Sequence, residues 1–125
     1  MAEKETNITI LKIEPHKEPE VITIPNTLES LQGLVGGYLE GLGLSPTVHM
    51  LLNEEGKLEG LEPNRRFNND ILVGTILIVG RDGEELTSLT AEQIQEYTNR
   101  FKTPEDIDPE ELKRAPGFDW FTFLF

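Results

Sequence analysis

The sequence predicts an α+β fold, with about five strands in a mostly antiparallel, curved sheet and two helices packed on it. Three observations support this class. Runs of β-branched residues recur with the alternation of strands, two segments repeat apolar residues at helical spacing, and the chain of 125 residues has the length of one domain. We expect a single α+β domain over residues 1–102 and an extension, first acidic and then aromatic, over residues 103–125.

Four β-branched or apolar runs predict the main strands of the sheet. Residues 8–13 and 21–24 predict a first antiparallel pair, because the connection between them carries prolines that cannot join a strand ladder. Residues 47–52 predict a third strand. Residues 71–79 are apolar at nearly every position, which is typical of a central strand buried on both faces. Within that run, Gly74 predicts a bulge or a close approach of another backbone.

Two segments predict amphipathic helices. Leucine and valine repeat at helical spacing over residues 28–40, and Thr27 is placed to cap the first turn. The pair Gly36 and Gly37 interrupts this helix, so it marks either a close contact with a neighbouring element or an early helix end. The second helix begins at a capping box formed by Thr90 and Gln93.

The charge of the chain restricts its partners. Twenty-three acidic and eleven basic residues give a net charge of −12, which repels phosphate backbones, so we expect no direct binding of nucleic acid. The same charge favours either a basic protein partner or plain solubility. The chain has no cysteine, as is common in a reducing cytosol. Since no apolar run reaches the ~18 residues of a membrane span, we expect a cytoplasmic protein that does not bind membranes.

No residue pattern in the sequence indicates an enzyme. His16 and His49 lie outside the spacings typical of metal ligands, and the serines lack the flanking motif of a nucleophile. We therefore expect no catalytic residue, no metal and no cofactor.

One polar segment is a candidate ligand site. Asn64, Arg65 and Arg66 fall in a predicted loop, where two guanidinium groups can hold a carboxylate or a phosphate in a bidentate manner. The alternative is that these arginines form internal salt bridges with nearby glutamates. If the segment after the third strand folds back as a hairpin, it would bring Asn53 and Lys57 to this loop. The glycine pair of the first helix is a second candidate phosphate-binding turn. The candidate ligand-binding residues are Asn53, Lys57, Asn64, Arg65, Arg66, Gly36 and Gly37.

The end of the chain concentrates aromatic side chains. Strand-like alternation would place Trp120 on one face and three phenylalanines on the other. Aromatic side chains bury large areas and often anchor interfaces. The extension therefore either folds onto the core of the same molecule or docks on a partner or a second copy, which would make an oligomer. The candidate partner-binding residues are Phe118, Trp120, Phe121, Phe123 and Phe125.

Several motifs follow one another in a recognisable order. They are the Gly-Gly-Tyr end of the first helix at 36–38, Asn-Glu-Glu-Gly-Lys-Leu at 53–58, Pro-Asn-Arg at 63–65, and Asp-Ile-Leu-Val-Gly-Thr at 70–75 followed by Ile-Val-Gly at 78–80. In this order they resemble a family of small proteins of unknown function carried by bacteriophages, plasmids and other mobile elements. The resemblance implies an accessory protein that acts in the cytoplasm of a bacterial host, countering host defences or redirecting host machinery. It assigns no role to any residue.

Two functions from different classes follow as hypotheses. The first is a non-enzymatic inhibitor that binds a basic surface of a host protein, a defence or nucleic-acid-handling enzyme, steered by charge and anchored by the aromatic extension. The second is a binder that sequesters a phosphorylated nucleotide, such as a defence second messenger, at the arginine-containing loop.

Overall fold

A computed structural model describes residues 5–113 of the chain. The elements in chain order are β1 (Asn7–Ile13), β2 (Glu20–Pro25), α1 (Leu28–Val35), β3 (Leu39–Ser45), β4 (Val48–Asn53), β5 (Pro63–Phe67), β6 (Asp70–Val73), β7 (Ile76–Asp82), β8 (Glu85–Thr87), α2 (Ala91–Arg100) and α3 (Pro109–Leu112). Five strands of the main sheet follow the order β2–β1–β7–β4–β3, and β8 pairs with β7. All neighbouring strands are antiparallel, so the predicted α+β class is confirmed.

The main sheet buries apolar side chains on both faces. In β1, Ile8 and Ile10 belong to a cluster with residues of α1, whereas Leu11 and Ile13 belong to a cluster with residues of α2. This division follows from the alternation of side chains along a strand. The two helices therefore cover opposite faces of one sheet.

The first helix is shorter than the pattern over residues 28–40 predicts. α1 ends at Val35 because Gly36 adopts a left-handed conformation with φ of 81° and its N–H bonds to the carbonyl of Gln32. The early helix end at the glycine pair is thus confirmed, and residues 39–45 form strand β3 instead. The capping box that begins α2 is also confirmed, with Thr90 and Gln93 bonded to each other's backbone N–H.

Residues 71–79, predicted as one central strand, belong to two strands. β6 ends at Val73 and β7 begins at Ile76, and between them Gly74 has φ of 72°, which favours glycine. A side chain at Gly74 would meet Leu61 Cδ1 at 2.8 Å, so the close neighbour there is a side chain and not the predicted backbone. β7 takes the central position of the sheet, whereas β6 pairs with β5 in a separate hairpin. The prediction of a loop around Asn64 is therefore wrong, since that residue lies in β5.

Residues 103–113 cross the β5–β6 hairpin and contain α3. Ile107 in this segment packs against Ile71 and Val73 of β6. The remaining extension, including Phe118, Trp120, Phe121, Phe123 and Phe125, lies outside the described residues. No helix within residues 5–113 has the length and apolar character needed to cross a membrane.

Candidate functional site

A cleft of about 310 Å³ lies between the β3 side of the main sheet and the β5–β6 hairpin. Its walls come from β3, the end of β4, the turn that follows β4, and β6. Apolar side chains make up much of the lining, among them Leu42, Leu52 and Leu72. Pockets of this size that combine apolar walls with a few polar groups are the usual form of a binding site.

Four ionisable side chains also line the cleft. Three are carboxylates, from Glu40, Glu54 and Asp70, and one is the ammonium of Lys57. Lys57 Nζ donates to Asp70 Oδ1 and has only 11% of its side chain exposed, so this cation is already paired. Partial burial raises the pKa of Glu40, the charges of Glu54 and Asp70 raise it further, and Lys57 opposes them. The cleft is therefore short of positive charge.

We expect Glu40→Gln to raise the melting temperature at pH 7. A carboxyl whose pKa is raised by folding costs stability as the pH rises above its ordinary value of 4.5, and glutamine removes that cost. At pH 3.5 the carboxyl is protonated in both the folded and unfolded states, so the difference between variant and wild type should shrink. Thermal melts at the two pH values measure this.

The control is Glu18→Gln on the exposed β1–β2 connection, which makes the same chemical change away from the cleft. An equal gain from this control, or a gain from Glu40→Gln that persists undiminished at pH 3.5, would contradict the cause given for the shift.

Strand β3 forms one end of the main sheet and pairs only with β4 among the described residues. The backbone N–H and C=O groups on its outer side therefore have no strand partner there. Exposed apolar side chains accompany this edge: Tyr38 is 67% exposed and Leu42 is 42% exposed. Such an edge is a template for pairing with an extended segment of another chain.

Asn53 lies at the end of β4 and is buried. Its Nδ2 donates to the carbonyl of Val35 and to Glu59 Oε1, both at 3.2 Å, and its Oδ1 accepts from the N–H of Glu55 at 2.8 Å. These bonds join the last turn of α1 to the turn that follows β4. The side chain of Asn53 is thus used by the fold and holds one wall of the cleft in place.

The glycine pair serves the same junction. Gly36 caps α1, and a side chain at Gly37 would meet Asn53 Nδ2 at 2.9 Å. The predicted close contact at this pair is therefore confirmed. The helix cap at Gly36 and the close contact at Gly37 are structural requirements. They explain why both residues are glycine without a bound phosphate.

Gly37→Ala is expected to lower the free energy of unfolding by about 2 kcal/mol, because the new methyl group displaces Asn53. Gly33→Ala is the matched control: nothing lies within 4 Å of its Cβ position inside α1. That variant should gain about 0.5–1 kcal/mol from helix propensity. Urea denaturation of both variants measures the difference, and a loss from both would show that helix α1, rather than the contact with Asn53, is sensitive.

Asn64 and Arg65 lie in the protein interior, with 0% and 1% of their surfaces exposed. Asn64 Nδ2 donates to the carbonyls of Ile13 and Gly74, at 2.9 and 2.7 Å, and its Oδ1 accepts from Arg65 Nη1 at 2.7 Å. Burial lowers the pKa of Arg65 and the charge of Glu105 opposes this, but a guanidinium stays protonated in proteins. Both side chains are committed to internal partners.

Arg66 points away from Arg65, as neighbours along a strand do. Its Nε and Nη2 donate to the two carboxylate oxygens of Glu111, at 2.6 and 2.7 Å, and its Nη1 donates to Glu105 at 2.9 Å. The hydrogen bonds that Arg66 donates to Glu111 and Glu105 raise the pKa of its guanidinium. The internal salt bridges predicted as an alternative are therefore found at Arg66, whereas Arg65 bonds to carbonyl oxygens.

Residues 8–102 match a family described as Domain of unknown function, DUF3846. The chain belongs to the DUF3846 family. The matched range contains every residue of the cleft and ends before the segment that crosses the hairpin. No curated protein and no solved structure matches this chain.

The structure of this DUF3846 domain separates the residues of the predicted ligand site. Asn53 and Lys57 lie at the cleft, whereas Asn64 and Arg65 are internal and Arg66 is on the far side of the hairpin. The cations do not point to one place, so the geometry does not support the nucleotide-binding hypothesis, which stays a prediction.

Several cleft residues of the DUF3846 domain were missed from sequence, among them Glu40, Leu42, Glu54 and Asp70. Glu40 falls inside the predicted helix of residues 28–40, and Leu42 lies just beyond it in a glycine-rich stretch. A signal exists for Leu42, since glycine and leucine alternate from Gly41 to Leu44 with the two-residue period of a strand.

Proposed function

We propose that this protein is a non-enzymatic binding protein that docks a basic, extended segment of another protein along β3 and in the adjoining cleft. One observation carries the proposal. A sheet edge with no strand partner among the described residues runs beside an apolar cleft that carries three carboxylates and a single, already paired ammonium.

The edge strand supports the backbone part of the proposed interaction. An incoming strand would form ladder hydrogen bonds with the outer N–H and C=O groups of β3, and these bonds supply affinity for any extended sequence. Gly41 and Gly43 alternate with leucine along β3, so one face of the edge has little side-chain bulk to hinder an added strand. Alternate side chains of the guest would then face the cleft.

The charges of the cleft support the chemistry of the guest. A lysine or arginine beside Glu40 and Glu54 would supply the positive charge that the cleft lacks, while its aliphatic stem would pack on Leu42. The net charge of −12 would also raise the rate of encounter with a basic partner.

The resemblance to proteins of mobile elements narrows the proposed partner. We propose that it is a cytoplasmic protein of a bacterial host with a basic, nucleic-acid-handling surface, since such surfaces concentrate lysine and arginine. Covering that surface would inhibit the host protein. The aromatic residues of the extension, Phe118 to Phe125, would supply further contacts under this proposal.

Two labelled octapeptides test the proposal, one alternating lysine with threonine and the other glutamate with threonine. Fluorescence anisotropy should detect binding of the lysine peptide alone, and raising the salt from 0.05 to 0.5 M should weaken it about tenfold. Glu40→Lys with Glu54→Lys should weaken it about tenfold as well, since both changes reverse cleft charges.

The matched control combines Glu18→Lys with Glu96→Lys, which changes the net charge by the same amount at exposed positions away from the cleft. This control should lower the affinity much less than the cleft variant. Equal losses of affinity from the two double variants would show that the interaction is general charge attraction and that the cleft is not its site.

A further inference from the structure

The β5–β6 hairpin has a second surface on the side of Arg66, and two of its residues, Ile71 and Val73, also lie at the wall of the cleft. We call it the outer face, formed by Leu61, Arg66, Ile71 and Val73. Ile71 and Val73 lie in a small apolar cluster separate from the two clusters of the main sheet. Arg66 lies across from Ile71 in the hairpin register and supplies the positive charge of this face.

Residues 103–113, here called the strap, cover the outer face. Ile107 is 6% exposed and packs on Ile71 and Val73, and Leu112 packs at the margin of the same cluster. Glu105 and Glu111 both bond to the guanidinium of Arg66, and Glu105 also accepts from the backbone N–H of Arg66 at 3.2 Å. The outer face thus binds an acidic segment through the guanidinium of one arginine and through one apolar groove.

The strap is attached in the manner of a bound peptide. No backbone–backbone hydrogen bond joins it to the hairpin within residues 5–113. Side chains make the contacts, through a bidentate arginine–carboxylate pair and one buried isoleucine, which is how short acidic motifs are commonly recognised. The strap also lies beyond residues 8–102, the range that matches the DUF3846 family.

We infer that the outer face is a docking surface for an acidic partner segment, and that the strap occupies it until such a segment displaces it. The residues of the strap indicate which side chains the partner segment would carry. The strap carries Glu105, followed two residues later by Ile107, and Glu111, six residues after Glu105, with Leu112 beside it. Displacement would release the strap and the extension that follows it.

The test uses the full-length chain and a labelled peptide with the sequence of residues 103–113. Ile107→Ala with Glu111→Gln weakens the strap but leaves the outer face unchanged. This variant should bind the peptide about tenfold more tightly than the wild type does, because its own strap competes less. Adding Arg66→Ala should remove the gain, and a peptide with glutamine at the positions of Glu105 and Glu111 should bind to neither chain.

Circular dichroism is used to check that each variant is folded. If the double variant unfolds, Glu105→Gln alone replaces it, because this change keeps Ile107 and the pair between Arg66 and Glu111. A folded, strap-weakened chain that binds the peptide no better than the wild type would overturn the inference. A wild-type dimer in light scattering that Ile107→Ala abolishes would also overturn it, since the occupant would then be a second copy of the strap.

Discussion

Replacement of Arg65 by lysine is expected to lower the free energy of unfolding by about 3 kcal/mol. Arg65 Nη2 donates to the carbonyls of Phe101 and Lys17, at 2.8 and 2.7 Å, and Nη1 donates to Asn64 Oδ1 at 2.7 Å. The guanidinium therefore joins three segments that are distant in sequence. The Phe101 carbonyl lies at the C-terminal end of α2, where the helix dipole favours a cation. Lysine keeps the charge but cannot reach all three acceptors.

Urea denaturation measures the loss, and a fall of about 10 °C in melting temperature should accompany it. Arg66→Lys is the matched control, because Arg66 is the next residue and has 48% of its side chain exposed. Exposed ion pairs contribute little to stability, so this control should have a much smaller effect. Equal losses from Arg65→Lys and Arg66→Lys would contradict the role assigned to the buried guanidinium.

Asn64→Ala is expected to cost about 3 kcal/mol, because it leaves the carbonyls of Ile13 and Gly74 and one N–H of Arg65 without their buried partner. Asn64 joins β1 to the break between β6 and β7, so its loss also loosens the hairpin. Asn99→Ala on the exposed surface of α2 makes the same substitution and should change stability by less than about 0.5 kcal/mol.

The double variant of Asn64→Ala with Arg65→Lys tests whether the two side chains stabilise the fold together. Because Asn64 and Arg65 share one network, their combined loss should be smaller than the sum of the single losses. Fully additive effects would show that the two side chains act independently, which would contradict the network.

Local signals predict much of this fold. The β-branched run of β1, the apolar run of β4 and the capping box of α2 each carry a pattern that neighbouring residues complete. The hairpin is different. Asn64 and Arg65 look like loop residues because their charge and polarity are visible in the sequence, whereas their partners Ile13, Lys17 and Phe101 are distant along the chain. Burial of those polar groups depends on contacts that exist only after folding.

The glycines explain the remaining differences between the predicted and the observed elements. Gly36 ends α1 in a left-handed conformation, but a glycine within a helical pattern also fits a longer helix, so residues 36–40 were assigned to the wrong element. Strand β3 has no β-branched residue and two glycines, which weakens its strand signal.

Two residues of the cleft were among the candidate ligand-binding residues chosen from the sequence. Asn53 and Lys57 were identified from their polarity and do lie at the cleft. Glu40, Glu54 and Asp70 are three among twenty-three acidic residues, and nothing in their spacing separates them from a solvated surface. They come together because β3, the turn after β4 and the hairpin meet at one place, which is a property of the topology.

The location of a bound basic peptide tests the central claim most directly. The measurement is a titration of the lysine–threonine octapeptide into isotope-labelled protein, followed through the backbone amide signals. The proposal predicts shifts confined to Leu39–Ser45 and the cleft, with slowed hydrogen exchange at the outer amides of β3. Strand β2 at the other end of the sheet is an internal control, because it is also an edge. Equal shifts along Glu20–Pro25, or shifts that avoid both edges, would contradict the proposed function.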